Sequence, residues 1–395
     1  MCRSISDALP SSSTPSRRRS PPSSAAATTT TTGSSSSTSA AAPSTSSGPR
    51  HTANTTSSTS SRSSRSSLAA ARASLPSPPL LYPFPELAAA TNNFLAKRSP
   101  SATYWRCTLR GRDAALFQLR ALPGLTARDA SAALARTARY HHASLAPLLG
   151  ACLAGPHAYL AYSLPPGAAT LAACLLLQSS SRGARAGADK GGSFVGLGAG
   201  WLPRVQVAVD VAQGLEYVHA HAKASHGRVS PSTVLLVPDQ LHGLRAALTH
   251  FGAHQFAQPD DNTDHQPDDL QSSDVRAFGV VLLQLLSGEA EACKHRFDRA
   301  TKEFASVSVV DTAAEALRTG RVRTWIDRRL GDSFPASAAE RLVEVGLRCA
   351  SPAEDERPAP DMSWVAGKVS KVYVESLAWE HQLDHGFSSV SLAPR

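Results

Sequence analysis

The chain has 395 residues, 42% of them apolar and 18% charged, with 40 Lys+Arg against 31 Asp+Glu, which is enough for one large domain or two medium ones with a substantial core. A net charge of +9 would suggest nucleic acid if it were spread over a folded domain, but residues 1–85 hold eight arginines and a single acid, Asp7, so they carry +7 and the remaining chain only +2. A basic globular nucleic-acid-binding domain is thereby excluded, and no nucleic-acid partner is expected.

Residues 1–80 are low-complexity Ser, Thr, Ala, Pro and Arg, including the runs 28–32 and 34–37. Such a segment cannot bury enough apolar surface to offset its ordering entropy, so a disordered tail is expected there. Its arginines beside serines could meet kinases or anionic membrane, although a solubilising tail explains them too. The first ten residues lack an apolar h-region, and Cys2 stands where myristoylation needs glycine, so no secretory signal or myristoyl anchor is expected. Six scattered cysteines without a CxxC pair fit a reducing compartment better than a disulfide framework or a zinc site. Residues 143–181 contain no Asp, Glu, Lys or Arg but are broken by Pro147, Gly150, Gly155, Pro156, Pro165 and Pro166. That pattern predicts buried strands and turns, not a membrane-spanning helix.

In chain order, the spacing predicts a helix over 84–94, strands over 103–109 and 114–119, a helix over 127–140, then strands over 145–149 and 158–162. Beyond Pro165 the periodicity is mostly helical, over 171–178, 202–221, 273–286, 336–349 and 362–377, with a glycine-rich flexible insert at 179–200. The expected class is α+β: a small β-rich lobe over about 84–162 and a larger helical lobe over about 163–378, together a domain over 81–378, followed by a short tail at 379–395.

Several segments carry a family resemblance. Phe84-Pro-Glu-Leu-Ala-Ala-Ala-Thr-Asn-Asn-Phe94 resembles the lead-in helix of plant receptor-like, Pelle-type protein kinases. His142-Ala-Ser-Leu-Ala-Pro-Leu-Leu-Gly150 is similar to their strand segment after helix αC, and the run from Ala208 to His219 to their helix αE. The run from Ser273 to Gly288 resembles helix αF, and Arg348-Cys-Ala together with Glu356-Arg357-Pro358 resembles the closing helices. The resemblance covers roughly 82–378 and implies a two-lobed protein-kinase-like fold. Within the family the LysM-receptor branch is suspected, without any LysM module in the sequence.

Phosphoryl transfer requires phosphates held, metal placed, charge neutralised and the hydroxyl oriented. The positions that the resemblance assigns to these tasks are changed throughout. The glycine-rich loop, which lets backbone N–H groups approach phosphates, has no glycine between Leu95 and Arg110; its places fall at Lys97, Ser99 and Ala102. Phe117 stands where the strand lysine belongs, with Gln118 one step along, and Ala133 stands where the αC glutamate would hold that lysine. The catalytic loop aligns as His226-Gly-Arg-Val-Ser-Pro-Ser-Thr233, so Arg228 replaces the catalytic aspartate, Ser230 the lysine and Thr233 the metal-binding asparagine. The Asp-Phe-Gly motif reads His250-Phe251-Gly252, and a neutral imidazole is a poor partner for magnesium. Residues that support the fold are kept: His226, Phe251 and Gly252, Asp274 and Gly279 in the αF match, and Arg357 with Pro358. Ala115 and Tyr162 mark a vestigial adenine slot.

The resemblance, read with these losses, implies a catalytically inactive pseudokinase that scaffolds or allosterically biases active receptor-like kinases or other signalling proteins. No magnesium site and at most weak ATP binding are expected. The location implied is the cytoplasm, with the basic tail able to touch the inner face of the plasma membrane. The rival readings are an atypical Ser/Thr kinase that binds ATP and a metal-independent nucleotide sensor.

Two other signals are weaker. Asp260, Asp261, Asp264, Asp268 and Asp269 cluster in a shortened activation segment, but a calcium loop starting at Asp260 would need Gly and Glu where His265 and Gln271 stand. The pairs His219/His221 and His141/His142 sit where the family has packing histidines, and His250 with His254 is a third candidate metal pair.

Overall fold

The computed structural model describes residues 78–95, 104–180, 197, 200–240, 243–258, 270–298, 303–351 and 360–388. The expected tail before residue 78, the positions Lys97, Ser99 and Ala102, most of the glycine-rich insert, the acidic cluster from Asp260 to Asp269, and Arg357 with Pro358 all lie outside these residues.

The first lobe is one five-stranded sheet in the order β1-β4-β5-β3-β2, built from β1 (Leu80–Leu81), β2 (Tyr104–Leu109), β3 (Arg112–Arg120), β4 (Leu148–Ala154) and β5 (His157–Ser163), with helices α1 (Phe84–Ala90) and α2 (Ala127–Thr137). Strand β5 is its centre, antiparallel to both β3 and β4, and β3 pairs antiparallel with β2. Helix α2 starts at a capping box, in which the Thr126 hydroxyl accepts from the Asp129 N–H and the Asp129 carboxylate from the Thr126 N–H. On one side of the sheet Phe94 packs between Trp105, Tyr159 and Phe84, with ring centroids 5.2, 5.3 and 5.7 Å away.

The second lobe is mostly helical. Strand β6 (Ala169–Thr170) and helix α3 (Leu171–Ser180) lead to α4 (Trp201–Ala220), then the hairpin β7 (Val234–Asp239) and β8 (Gly243–Leu248). Helix α5 (Leu270–Ser287) follows, then the hairpin β9 (Cys293–Asp298) and β10 (Glu303–Ser308). Helices α6 (Val309–Arg318), α7 (Val322–Trp325), α8 (Ala336–Ala350) and α9 (Met362–Ser388) complete it. Helix α4 buries side chains all round, among them Val205, Ala208, Val211, Ala212 and Leu215, as a central core helix must. Helices α5 and α8 approach closely at Gly279, where an added Cβ would lie 2.6 Å from the Gly346 carbonyl oxygen. Among the described residues no helix is long and apolar enough to cross a membrane, and the uncharged stretch 143–181 becomes β4, β5, β6 and α3.

The structure departs from the sequence expectations at several places. The folded chain is longer than 81–378: β1 includes Leu80 and pairs in parallel with Gly150 and Ala151 of β4, and α9 runs on to Ser388. The apolar stripe Val365, Val369, Val372 ends near Ser376, but no proline or glycine lies between Ser376 and Gly386, so the helix continues. The strand expected at 145–149 begins at Leu148, and Leu145 instead makes a single bridge to Leu248. The hairpins β7–β8 and β9–β10 lie where helical periodicity or none was read.

Candidate functional site

The roof of the cleft between the lobes is the inner face of β3 and β5. In register, Phe117 faces Tyr104 on β2 and Leu160 on β5, and Ala115 faces Tyr162. Phe117 is 3% exposed, and its ring lies 5.4 Å from that of Tyr104, 5.9 Å from Tyr162 and 4.5 Å from the imidazole of His250. The Tyr162 and His250 rings stack at 5.7 Å. Phe117 and Ala133 belong to one buried apolar cluster with Ala130, Leu134 and Phe256. The two positions expected to correspond to the lysine–glutamate pair thus lie in one apolar cluster, an arrangement that leaves no uncompensated buried charge there.

His250 is held among these rings as a neutral base. Burial, reinforced by His226 and the Arg228 cation, lowers its pKa to about 3, and its Nδ1 lies 2.7 Å from the Thr249 hydroxyl. Burial likewise pushes the Tyr162 phenol well above its ordinary value.

The floor of the cleft is the loop 226–233, and one carboxylate organises it. Asp274 on α5, 1% exposed, accepts from the His226 N–H at 2.6 Å and the Gly227 N–H at 2.7 Å, with His219 Nε2 2.9 Å away. His226 is buried with its Nε2 2.6 Å from the Thr249 carbonyl oxygen. The Thr233 hydroxyl is engaged locally: it accepts from the Ser230 N–H at 3.0 Å and lies 2.8 and 2.9 Å from the carbonyl oxygens of Arg228 and Ser230. Arg228 donates from its guanidinium to the Gln258 carbonyl.

After His250 the backbone turns sharply. Gly252 has φ +79°, and a Cβ there would sit 2.6 Å from the Thr137 hydroxyl of α2, so glycine is required for both conformation and space. The short 3-10 turn Ala253–Gln255 follows. This segment is stitched to the end of β3 by Leu122 N–H to the Phe256 carbonyl and Gln258 N–H to the Arg120 carbonyl, and to α2 by Arg136 to Gln255. Phe251 is buried edge-on to Tyr140, with centroids 5.7 Å apart.

These residues do not fit the magnesium nucleotide that the fold family implies. His250 and Thr233, at the metal positions, are turned to packing and to the loop's own backbone, and Asp274 is committed to His226, Gly227 and His219. Among the described residues no group of three or more His, Cys, Asp or Glu could hold a metal. The paired histidines pack instead: the ring of Tyr217 is sandwiched between His142 at 4.9 Å and His221 at 5.0 Å. The structure therefore gathers Ala115, Phe117, Ala133, Tyr162 and His250 into the roof, and Arg228, Ser230, Thr233, His226 and Asp274 into the floor. Sequence reasoning missed Tyr104, Thr249 and Gln258. Tyr104 alone left a signal, the aromatic opening β2 and facing Phe117 across the ladder.

No protein-family model matches the chain. It is 28% identical to a leucine-rich repeat receptor-like protein kinase of Arabidopsis thaliana over 59% of this chain and 25% of that protein. It is 26% identical to chitin elicitor receptor kinase 1 of the same plant over 75% of this chain and 47% of that protein, and 30% identical to PTI1-like tyrosine-protein kinase 1 over 56% and 61%. The chain thus spans less than two thirds of the length of each of these relatives. The solved pseudokinase domain of BIR2, described as an immune regulator of the RLK/Pelle family, superposes with a TM-score of 0.54 at 21% identity, covering 74% of this chain and 86% of that one. With its sequence relatives and its fold neighbour in agreement, the chain is a homologue of plant receptor-like kinases and has the protein-kinase fold.

Proposed function

We propose that this protein is a pseudokinase: it keeps the two-lobed kinase scaffold, transfers no phosphoryl group, and acts in signalling by contact with other proteins, foremost active receptor-like kinases. The observation that carries the reading is the aromatic filling of the roof by Tyr104, Phe117, Tyr162 and His250, opposite a floor with Arg228 in place of the general base. A fixed cation cannot accept the substrate proton, and a neutral imidazole packed among rings does not bind Mg²⁺. BIR2, a structural neighbour, is itself described as a pseudokinase domain. The tail of residues 1–80, where the basic excess lies, is assigned a salt-sensitive attraction to anionic membrane.

The test is transfer of radiolabelled phosphate from ATP by purified protein, with Mg²⁺ and then Mn²⁺. Wild type should match a Phe117→Ala, Arg228→Ala double variant. The pair Phe117→Lys, His250→Asp should also remain inactive, because the new ammonium would have no αC carboxylate at Ala133 and no glycine-rich cover. Reproducible incorporation by wild type above the control would establish the rival reading, an atypical kinase. A rise in melting temperature with ATP in the absence of metal would favour the nucleotide sensor instead.

A further inference from the structure

A cavity of about 480 Å³ shares Tyr162 with the aromatic roof and lies against the end of α2 and the segment that leads from it into β4. Its walls are largely apolar, built among others by Tyr140, Leu145, Leu148, Tyr162 and Phe251. Cavities of roughly 300–1,000 Å³ that combine apolar walls with a few placed polar groups are the usual form of small-molecule sites. Two polar groups of this lining stand out. Arg112, at the start of β3, is exposed and makes no ion pair or side-chain hydrogen bond among the described residues. The adjoining carboxylate, Asp113, is engaged by the Thr108 hydroxyl at 3.1 Å, and the described lining contains no Asp or Glu. The second group is the Tyr162 hydroxyl. Tyr162 is 1% exposed, and its hydroxyl completes no hydrogen bond, although the His250 backbone approaches it. A buried phenol normally finds a partner, because it has given up water and an unmade bond leaves that loss uncompensated.

We propose that this cavity binds a small aromatic carboxylic acid with a hydroxyl on its ring, the carboxylate paired with Arg112 and the hydroxyl bonded to that of Tyr162. A guanidinium fork matches a carboxylate with two parallel hydrogen bonds. Aromatic side chains in the wall suit a flat apolar body, which they meet edge-on or offset-stacked. The Tyr162 hydroxyl can both donate and accept, so a second hydroxyl satisfies it in either sense. Tyr162 also stacks on His250 at 5.7 Å, so an occupant would brace the roof from the side of the cavity. The site goes beyond the pseudokinase reading and does not depend on it.

The experiment is isothermal titration of the full chain with para-hydroxyphenylpropionate, phenylpropionate and the neutral para-hydroxyphenylpropionamide. The hydroxy acid should bind best, with the amide and the acid lacking the hydroxyl each at least about fivefold weaker. Arg112→Gln should weaken both acids by about tenfold and leave the amide nearly unchanged. Because Arg112 is exposed, this variant should keep its fold, which a circular-dichroism melt verifies. Tyr162→Phe should bring the hydroxy acid down to the level of phenylpropionate and leave phenylpropionate itself unaffected. Without ligand, Tyr162→Phe should be at least as stable as wild type, since it removes the unpaired group. A short peptide ending in tyrosine offers the same phenol and carboxylate on a chain and should bind no better than the free hydroxy acid; tighter binding would move the site to a protein terminus and overturn the small-molecule assignment. Equal affinity for acid and amide, equal affinity for the two acids, unchanged binding in Arg112→Gln, or no binding of any probe at millimolar concentration would each overturn the proposal. The radiolabel transfer assay asks a separate question: transfer by wild type would refute the pseudokinase reading and leave this site standing, whereas failure to bind the acids would refute the site alone.

Discussion

The roof and the floor of the cleft have changed in opposite ways. In the roof, side chains whose task would be to touch a nucleotide are replaced by groups that touch one another: Phe117 meets Tyr104, Tyr162 and His250, and Ala133 joins the same cluster. In the floor, a side chain whose task is to hold backbone is kept: Asp274 still receives the N–H groups of His226 and Gly227. The difference separates two kinds of polar residue. One that serves a ligand can be exchanged for an apolar residue together with its partner, at little or no cost to stability. One that satisfies buried backbone donors has no apolar substitute, because the donors remain when the acceptor is gone.

The largest expected effect follows directly. Asp274→Ala removes a buried acceptor shared by two backbone donors and His219. Hydrogen bonds to a charged group contribute about 1.5–3 kcal/mol each, and unpaired buried donors add their desolvation cost; a loss of about 4 kcal/mol of unfolding free energy is expected. Denaturant melts beside wild type measure it. A loss below about 1 kcal/mol would mean that the floor is held by packing and that the contrast with the roof is false.

How much of this contrast could be read from residues alone depends on the range over which each feature is encoded. The αF match was legible because helical periodicity fixes the element, while the roles of Asp274 and Gly279 came from the family resemblance of residues 273–288. The emptying of the roof was legible as identities, Phe117 and Ala133, but its filling was not. That Tyr104, Phe117, Tyr162 and His250 meet depends on the register of three strands and on the left-handed turn at His250, which has φ +68°. Strand β1 has two residues between prolines and so no period to detect. The hairpin β9–β10 carries Lys294, His295 and Arg296 in a row on its first strand, a polar run without strand alternation that reads as loop until its partner strand is known. The tether from residues 253–258 to the end of β3 is made largely by backbone groups, which leave no trace in side-chain chemistry.

A pH titration sharpens the roof's side of the comparison. His250 has its pKa lowered to about 3 by burial first, then by His226 and Arg228, whereas in the unfolded chain it titrates near 6.5. Below about pH 6.5 the unfolded state takes up a proton that the folded state refuses, so stability is full above that value and falls as pH drops toward 3. The expected slope is about 1.4 kcal/mol per pH unit, or roughly 2 kcal/mol by pH 5. His226, also lowered by burial, acts in the same direction. The check is stability against pH for wild type and His250→Asn, since asparagine tolerates the left-handed backbone and does not titrate. The variant should lose about half or more of the slope. An unchanged slope would mean that the imidazole is hydrated and the roof is not packed against it.

The smallest effect is expected at Arg228, and it tests whether the floor divides cleanly into anchor and relic. Arg228 and Asp274 both line the floor of the cleft, only one residue separating Arg228 from His226, yet their bonds differ in kind. Asp274 accepts from two backbone N–H groups, that of His226 buried, while the Arg228 side chain donates to the carbonyl of Gln258. If the side chain is truncated, that carbonyl can turn to water entering from the cleft. Arg228→Ala should therefore cost less than Asp274→Ala, about 1 kcal/mol for each hydrogen bond that solvent can replace. It also removes a cation that disfavours protonation of His250, so the acid limb of the pH curve should become slightly shallower, not steeper. Denaturant melts at pH 7 and near pH 3, where the folded imidazole begins to titrate, read both quantities from the same two proteins. A cost at pH 7 approaching that of Asp274→Ala would show that the link from Arg228 through Gln258 to Arg120 is what holds the lobes in register, and that the arginine belongs to the scaffold.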